Sequence, residues 1–101
     1  MEGMKRELVF RRAARSEYDA AGNWYEERRA GLGGDFTAAV QNVLDRIAVQ
    51  PDFYADVWSG VREAIVKGFP YCVYFFDEPG RVVILSVFHS ARDPDNWHSR
   101  I

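Results

Sequence analysis

The sequence is short of the residues that build disulfides and metal centres. Its 101 residues include one cysteine, Cys72, and two histidines, His89 and His98. One cysteine cannot form an intramolecular disulfide, and these three residues do not make a zinc-ligand pattern. We therefore expect no metal and no cofactor. We interpret Cys72 as a buried thiol in an apolar strand, because a free cysteine packs like a small hydrophobic residue.

Long apolar runs and a secretory signal are also missing. The longest apolar stretches, residues 71–76 and 82–85, are far shorter than the ~20 residues that span a bilayer. Residues 1–10 contain no apolar stretch of signal-peptide length. We predict a cytoplasmic protein with no membrane partner. The sequence leaves open whether Met1 or Met4 is the natural start.

The chain has no excess of positive charge. Thirteen basic residues stand against fifteen acidic ones, the formal net charge is −2, and the only lysines are Lys5 and Lys67. Proteins that bind nucleic acid neutralise phosphate charge and usually carry a basic excess. The charge balance therefore disfavours RNA or DNA as the main partner.

What the chain does contain is enough apolar material for one core. It is 48% hydrophobic, 15% aromatic and 28% charged, which is typical of a folded protein and not of a disordered one. Its length suits one domain, which we predict over residues 1–101. No internal repeat or low-complexity segment divides it.

Two helices are predicted in the first half, after a short strand around Leu8 and Phe10. The first helix carries an apolar stripe at helical spacing, followed by a glycine-rich break at residues 31–34. Asp35 has the side chain of a good N-cap for the second helix, which should end before Pro51. Two helices joined by so short a connection are expected to form an antiparallel hairpin.

Three strand-like runs follow a predicted loop at residues 51–60. They cover residues 61–66, 71–76 and 82–88 and are rich in β-branched and aromatic side chains. The fold class is therefore α+β with the order β-α-α-β-β-β, in which the helical hairpin packs on one face of a small, mostly antiparallel sheet. The last two runs are apolar on both alternating sets, so the second sheet face also needs a cover. Either the C-terminal tail with Trp97 or a partner protein is expected to supply it.

Several segments in this order resemble one family. They are Ala21 to Tyr25 with Gly31-Leu32-Gly33 and Phe36, Gly60-Val61-Arg62, Phe69-Pro70-Tyr71 with Val73-Tyr74, and Val87-Phe88-His89 with Arg92-Asp93-Pro94, Trp97 and Arg100. Together they span nearly the whole chain and are similar to the RelE/ParE superfamily of toxins from type II toxin–antitoxin systems.

The resemblance implies an antitoxin partner. Such a toxin is neutralised by a small cognate antitoxin, and it meets DNA only through the toxin–antitoxin complex, which commonly represses its own promoter. An antitoxin helix or strand laid on the second sheet face would fit this role. The antitoxin-binding candidates are Tyr71, Val73, Tyr74 and Phe76.

The resemblance implies one of two toxic activities. RelE-like members cut messenger RNA on the ribosome, which needs groups for proton transfer and cations for the developing phosphate charge. His89 and Arg62 are the catalytic candidates for that chemistry. Each has a structural alternative: Arg62 can pair with a carboxylate such as Asp93, and His89 can be a hydrogen-bonded residue at a strand end.

ParE-like members instead poison DNA gyrase by protein–protein contact, which needs no catalytic group. The absence of a basic excess makes this the favoured activity, and the third possibility is a toxin-like fold that has lost its toxicity. Whichever applies, we predict a functional surface that includes Lys67, Arg92, Trp97 and Arg100, although Trp97 also suits a packing anchor.

Overall fold

In the computed structural model of this protein, two helices lie on one face of a five-stranded sheet. The structure describes residues 5–90. Within this part, the elements are β1 (Glu7–Phe10), α1 (Arg12–Arg28), α2 (Leu32–Val49), β2 (Asp56–Trp58), β3 (Val61–Ile65), β4 (Tyr71–Glu78) and β5 (Arg81–His89). The predicted α+β class, with a helical hairpin against a mostly antiparallel sheet, is confirmed.

The last strand lies inside the sheet. The strand order is β1-β5-β4-β3-β2. β1 runs parallel to β5, with Phe10 opposite Ile84, and the other neighbouring strands are antiparallel. Between β4 and β5, Pro79 and Gly80 form a two-residue turn, and Gly80 has a φ of 79°. Proline followed by a glycine with positive φ is the pairing that a type II turn favours.

The helical hairpin forms because both helices carry an apolar stripe. α1 buries Ala14, Tyr18 and Ala21, which recur at intervals of three or four residues and so share one face. α2 buries a longer stripe that includes Phe36 and Val40, both fully enclosed. No helix in residues 5–90 combines the length and the apolar character needed to cross a membrane.

The start of α2 differs from the prediction, because Asp35 is not its N-cap. The helix begins at Leu32, and Gly31 takes the cap position with a φ of 90°. The carboxylate of Glu26, which belongs to α1, accepts hydrogen bonds from the backbone N–H of Gly31 (3.0 Å) and of Gly33 (3.0 Å). Since a neighbouring helix satisfies these first amides, α2 starts four residues earlier than it would with Asp35 as its N-cap.

The predicted loop at residues 51–60 is also more structured than expected. It contains a short 3-10 helix, Pro51–Phe53, and the added strand β2. β2 is three residues long and exposed throughout, so it lacks the alternation of buried and exposed residues that identifies a strand in a sequence. Its pairing with β3 is irregular, with Asp56 opposite Arg62 and Trp58 opposite Val61.

The sheet has an inner face against the helices and an outer face opposite. Inner-face side chains of β3, β4 and β5 join the main core with both helices. Val73 is among them and has no exposed surface. It is therefore not available to a partner in this conformation, which corrects its prediction as an antitoxin contact. The other three candidates are divided between the faces, because Tyr71 packs on the inner core whereas Tyr74 and Phe76 lie on the outer face.

The outer-face residues of β4 and β5 are mostly buried, whereas Ile65 of β3 on the same face is 72% exposed. Val61 and Leu85 are 0% exposed and Phe88 is 4% exposed. The sequence left open whether the tail or a partner covers this face, and the structure does not present it as an open apolar surface. Trp97, the predicted cover, lies outside the described residues.

Candidate functional site

The two catalytic candidates lie on strands that β4 separates. His89 ends β5 opposite Tyr71, whereas Arg62 lies on β3 opposite Phe75. The two residues are therefore separated by four residues along β4 and by two strand spacings. With a rise of about 3.3 Å per residue and about 4.8 Å between strands, their Cα atoms are roughly 16 Å apart. The structure does not bring them into one site.

Arg62 is tied to the segment before β2. Its Nη1 donates a hydrogen bond to the backbone carbonyl of Tyr54, and its side chain is half-buried. This bond holds the 3-10 helix and the chain that follows it against β3. Asp93, which the sequence offered as an ion-pair partner, lies outside the described residues, as do Arg92 and Arg100.

A groove opens at the end of the sheet where His89 lies. It has a volume of about 780 Å³ between α1 and the ends of β4 and β5. Its lining among the described residues is mostly apolar or aromatic, and comprises Ser16, Glu17, Ala20, Ala21, Trp24, Tyr25, Pro70, Tyr71, Val87, Phe88 and His89. Lys67 lies at this same end, in the connection between β3 and β4. Concave apolar sites with a few polar groups are the usual form of a binding site.

Aromatic rings form one wall of the groove and support its floor. Tyr71 and His89 meet edge to face, with ring centroids 5.2 Å apart. Behind them, Phe36 packs against Tyr71 at 5.0 Å and against Tyr25 at 5.1 Å. These contacts hold the imidazole and phenol rings at the rim on a rigid base, because the rings beneath belong to the core.

Trp24 is the most prominent side chain of the groove. It is 49% exposed, packs edge to face on Tyr25 at 5.1 Å, and has the Arg28 guanidinium over its ring at 4.2 Å. An indole held between a cation and a second ring loses little freedom when it binds. Tryptophan and arginine are also the residues that most often dominate binding energy at interfaces.

Glu17 connects α1 to an irregularity in β5. β5 has an extra residue between Ile84 and Ser86, because these two pair with the adjacent residues Phe75 and Tyr74 of β4. Oε1 of Glu17 accepts hydrogen bonds from Ser86 Oγ (2.9 Å) and from the Val87 backbone N–H (3.1 Å). A bulge disrupts the ladder locally, and here a helix carboxylate accepts the hydrogen bonds of the displaced groups.

Glu17 was not among the residues predicted from the sequence. Two signals for it were present in the sequence. Ser86 is the only polar residue in the apolar run at 82–88, and it is 0% exposed, so its hydroxyl must find a partner. Glu17 adjoins Tyr18 on the apolar side of α1 and occurs three residues after the buried Ala14.

A polar cluster lies on the outer face of the sheet. The Tyr74 hydroxyl donates a hydrogen bond to Glu63 Oε2 at 2.8 Å, and burial together with this bond raises the pKa of Tyr74 above its usual value. Burial, with the Glu63 charge, also raises the pKa of the neighbouring Cys72 thiol to about 11. Cys72 is therefore a protonated, unreactive thiol at neutral pH, as its prediction as a packing residue requires.

The raised pKa of Cys72 predicts a loss of stability in alkali. The Cys72 thiol ionises near pH 9 in the unfolded chain, whereas in the folded protein it stays protonated to about pH 11. The stability that the protonated thiol contributes is therefore complete below about pH 9 and is lost as the pH rises toward 11. Between about pH 8 and pH 10.5, the wild type should lose about 2 kcal/mol more unfolding free energy than Cys72→Ala. Denaturant titrations of both proteins in a reducing buffer measure this difference. Equal losses would contradict the prediction.

No group of three or more residues suited to bind a metal occurs in the part of the chain that the structure describes. Among the described residues, the lining of the groove contains one imidazole, that of His89, and one carboxylate, that of Glu17. The Glu17 carboxylate already accepts two hydrogen bonds.

Comparison with known proteins agrees with the fold. A solved structure described as "Chromosomal ParDE TA system from P. aeruginosa" matches with a TM-score of 0.63 at 19% sequence identity, over 84% of this chain and 96% of that chain. At this identity the match shows a shared α+β architecture. No significant match is found among curated proteins.

The family follows from a sequence model. Residues 8–94 match the family described as "ParE toxin of type II toxin-antitoxin system, parDE". The chain therefore belongs to the ParE toxin family of type II toxin–antitoxin systems. This confirms the predicted resemblance to the RelE/ParE superfamily and, within it, the ParE-like branch that the sequence favoured.

Proposed function

We propose that this protein is the toxin of a type II toxin–antitoxin pair, that a cognate antitoxin neutralises it, and that it acts by binding DNA gyrase. The composition of the groove is the observation that favours gyrase binding over the other activities. Its walls are aromatic and apolar and Trp24 is half exposed, which is typical of a surface that binds another protein. The groove is proposed as the gyrase-binding surface.

Two further observations favour binding over RNA cleavage. Metal-free cleavage needs a proton-transfer group and a cation close to one phosphate, whereas the Cα atoms of His89 and Arg62 are roughly 16 Å apart across β4. The whole chain carries a net charge of −2, which does not favour a surface that tracks RNA phosphates. Any contact with DNA outside gyrase is proposed to occur through the complex with the antitoxin.

The activity can be tested by expressing the chain in a bacterium and following DNA and transcripts separately. Gyrase poisoning predicts broken DNA, altered plasmid supercoiling and intact messenger RNA. Co-expression of the gene product encoded beside the toxin should restore growth. Growth that stays normal despite abundant soluble protein would contradict the toxin proposal itself.

The role of the groove can be tested with a matched pair of aromatic substitutions. Trp24→Ala should lower DNA breakage about 10-fold or more while the protein stays folded, since truncating an interface tryptophan commonly costs over ~2 kcal/mol of binding. Phe53→Ala removes an aromatic side chain that is 75% exposed but lies outside the groove, and it should leave breakage unchanged. A similar loss in both variants would contradict a specific role for the groove.

Ribosome-dependent cleavage of messenger RNA is the second candidate, because His89 and Lys67 share the groove end of the sheet. It predicts cut transcripts and intact DNA. If His89 transfers the proton, His89→Ala should slow cleavage by ~10²–10⁴-fold. An unchanged rate would remove His89 from that role.

A further inference from the structure

The outer face of the sheet is buried although neither helix lies on it. Both helices pack on the inner face. Among residues 5–90, the outer cluster consists of side chains from β3, β4 and β5 alone, which are Val61, Cys72, Tyr74, Leu85 and Phe88, with Phe76 partly buried beside them. A sheet face without a second layer meets water, yet none of the five buried side chains is more than 8% exposed. Residues beyond 5–90 are therefore needed to exclude water from this face.

One row of side chains across the outer face indicates where the covering chain passes. Ile65, Cys72 and Phe88 lie side by side on β3, β4 and β5. Ile65 is 72% exposed, whereas Cys72 is 6% exposed and Phe88 is 4% exposed. At this end of the sheet, the cover therefore lies over β4 and β5 and leaves β3 open.

At the other end of the outer face, burial extends to β3. Val61 lies four residues before Ile65 on the same side of β3, and it has no exposed surface. Its neighbour on β4 is the half-buried Phe76, and its neighbour on β2 is Trp58. The buried region thus runs diagonally across the face, from Phe88 near the end of β5 to Val61 at the start of β3.

The described part of the chain ends where this diagonal begins. The Ser90 backbone N–H donates to the Pro70 carbonyl at 2.8 Å, which fixes the chain beside the start of β4. Val61 is level with Phe76, so it lies roughly 22 Å from Ser90, at about 3.3 Å per residue and about 4.8 Å per strand. Seven residues of extended chain span roughly 23–25 Å. Trp97, seven residues after Ser90, can therefore reach Val61.

The other end of the chain cannot supply this cover. Residues 1–4 precede β1, whose first residue, Glu7, pairs with Arg81 at the start of β5. The Arg6 N–H donates to the Ala48 carbonyl, so the chain enters β1 beside α2. Four residues span at most about 14 Å, whereas Phe88 is seven residues, or roughly 23 Å, from Arg81 along β5.

The composition of residues 91–101 suits a layer with one apolar side and one side in water. Trp97 is their one aromatic residue apart from His98, and four of the eleven residues are charged. A tryptophan buries roughly 150–250 Å² of surface, and its indole N–H can still find a polar partner. Glu63, whose carboxylate accepts the Tyr74 hydroxyl at 2.8 Å, offers such a partner on this face.

We infer that residues 91–101 turn back after Ser90 and cross the outer face of the sheet, and that Trp97 packs against Val61. This inference does not depend on the cellular target. A partner that approaches this face meets residues 91–101 in place of Tyr74. Trp97 and Trp24 then lie on opposite sides of the sheet and belong to two different surfaces.

The single cysteine of the chain reports on this cover. Cys72 is the only thiol, and it lies in the covered row. Its reaction with the thiol reagent dithiobis-nitrobenzoate is followed under native conditions in the free, full-length protein and in Trp97→Ala. Removal of the indole should accelerate the reaction at least about 10-fold, because Cys72 then becomes accessible by a local opening.

Gly33→Ala is the control for a loss of stability without a loss of cover. Its added Cβ acts on the contact between α1 and α2, on the other face of the sheet. Urea is added until both variants have the same free energy of unfolding. Trp97→Ala should still react at least about 10-fold faster than Gly33→Ala. Equal rates at equal stability would contradict the packing of Trp97 on this face.

A second measurement needs no variant. Nuclear Overhauser contacts should join the Trp97 indole to the methyl groups of Val61 in the free, full-length protein. Contacts from residues 1–4 in their place would assign the cover to the N-terminal end and overturn the inference. Rapid reaction of Cys72 in the free protein, slowed only by the gene product encoded beside it, would also overturn the inference and assign the face to a partner.

Discussion

Replacing Gly33 with alanine is expected to lower the free energy of unfolding by about 3 kcal/mol. Gly33 lies in the first turn of α2, where this helix crosses α1. A Cβ atom at this position would lie 2.6 Å from the carbonyl oxygen of Gly22 and 2.9 Å from both Cβ and Oε1 of Glu26. A backbone oxygen cannot move aside without shifting α1, and overpacking of this kind typically costs ~1–3 kcal/mol or more.

The same substitution also disturbs the cap of α2. Glu26 Oε1 accepts the Gly33 N–H at 3.0 Å, so pushing this side chain away would leave amides at the start of α2 without an acceptor. An uncapped helix start costs ~1 kcal/mol. The higher helix propensity of alanine offsets about as much, so the steric term decides the sign.

Gly34 provides the matched control. It is the next residue of the same helix, and a Cβ there would meet nothing within 4 Å. Gly34→Ala should therefore be neutral or stabilise the protein by up to ~1 kcal/mol. Denaturant unfolding of both variants measures the contrast, and similar stabilities would contradict the close approach of the two helices.

Replacing Glu17 with alanine is expected to lower the free energy of unfolding by about 2 kcal/mol. The substitution removes the acceptor for the Ser86 hydroxyl and for the Val87 amide. Ser86 is fully buried, and a buried donor without a partner costs ~1–3 kcal/mol. Glu17→Gln keeps one carbonyl oxygen on the side chain and should cost less.

Glu27→Ala is the control for Glu17→Ala. Glu27 is exposed on the same helix, and the loss of a solvated carboxylate there should change stability by less than ~0.5 kcal/mol. A double-mutant cycle with Ser86→Ala then isolates the contact. If the effects of Glu17→Ala and Ser86→Ala simply add, the hydrogen bond between them contributes nothing to stability.

Much of the fold could be predicted because hydrophobic periodicity records which face of an element is buried. The stripes of both helices, the three strands of the second half and the turn at Pro79-Gly80 all follow from local patterns. The start of α2 could not be predicted in this way, because its cap is Glu26 of another helix. β2 was missed because its three residues are all exposed.

The candidate site was less predictable than the fold, for a similar reason. The sequence placed His89 at the end of the last strand, as the structure has it, but strand order decides that Arg62 is two strands away. The faces of β4 could be assigned only once its register was known, so Val73 was grouped with Tyr74 although the two point in opposite directions. Glu17 was missed because its partners are about 70 residues away along the chain.

The position of β5 between β1 and β4 determines when this fold can close during synthesis. Residues 7–10 cannot find their partner strand until residues 81–84 have been made. Before that point, a growing chain can form only the helical hairpin and the antiparallel strands that precede β5, with the main core open on one side. Contacts between such distant segments also slow folding, because a long loop must close first. A chain that ends before this last strand would therefore have neither the groove nor a paired β1.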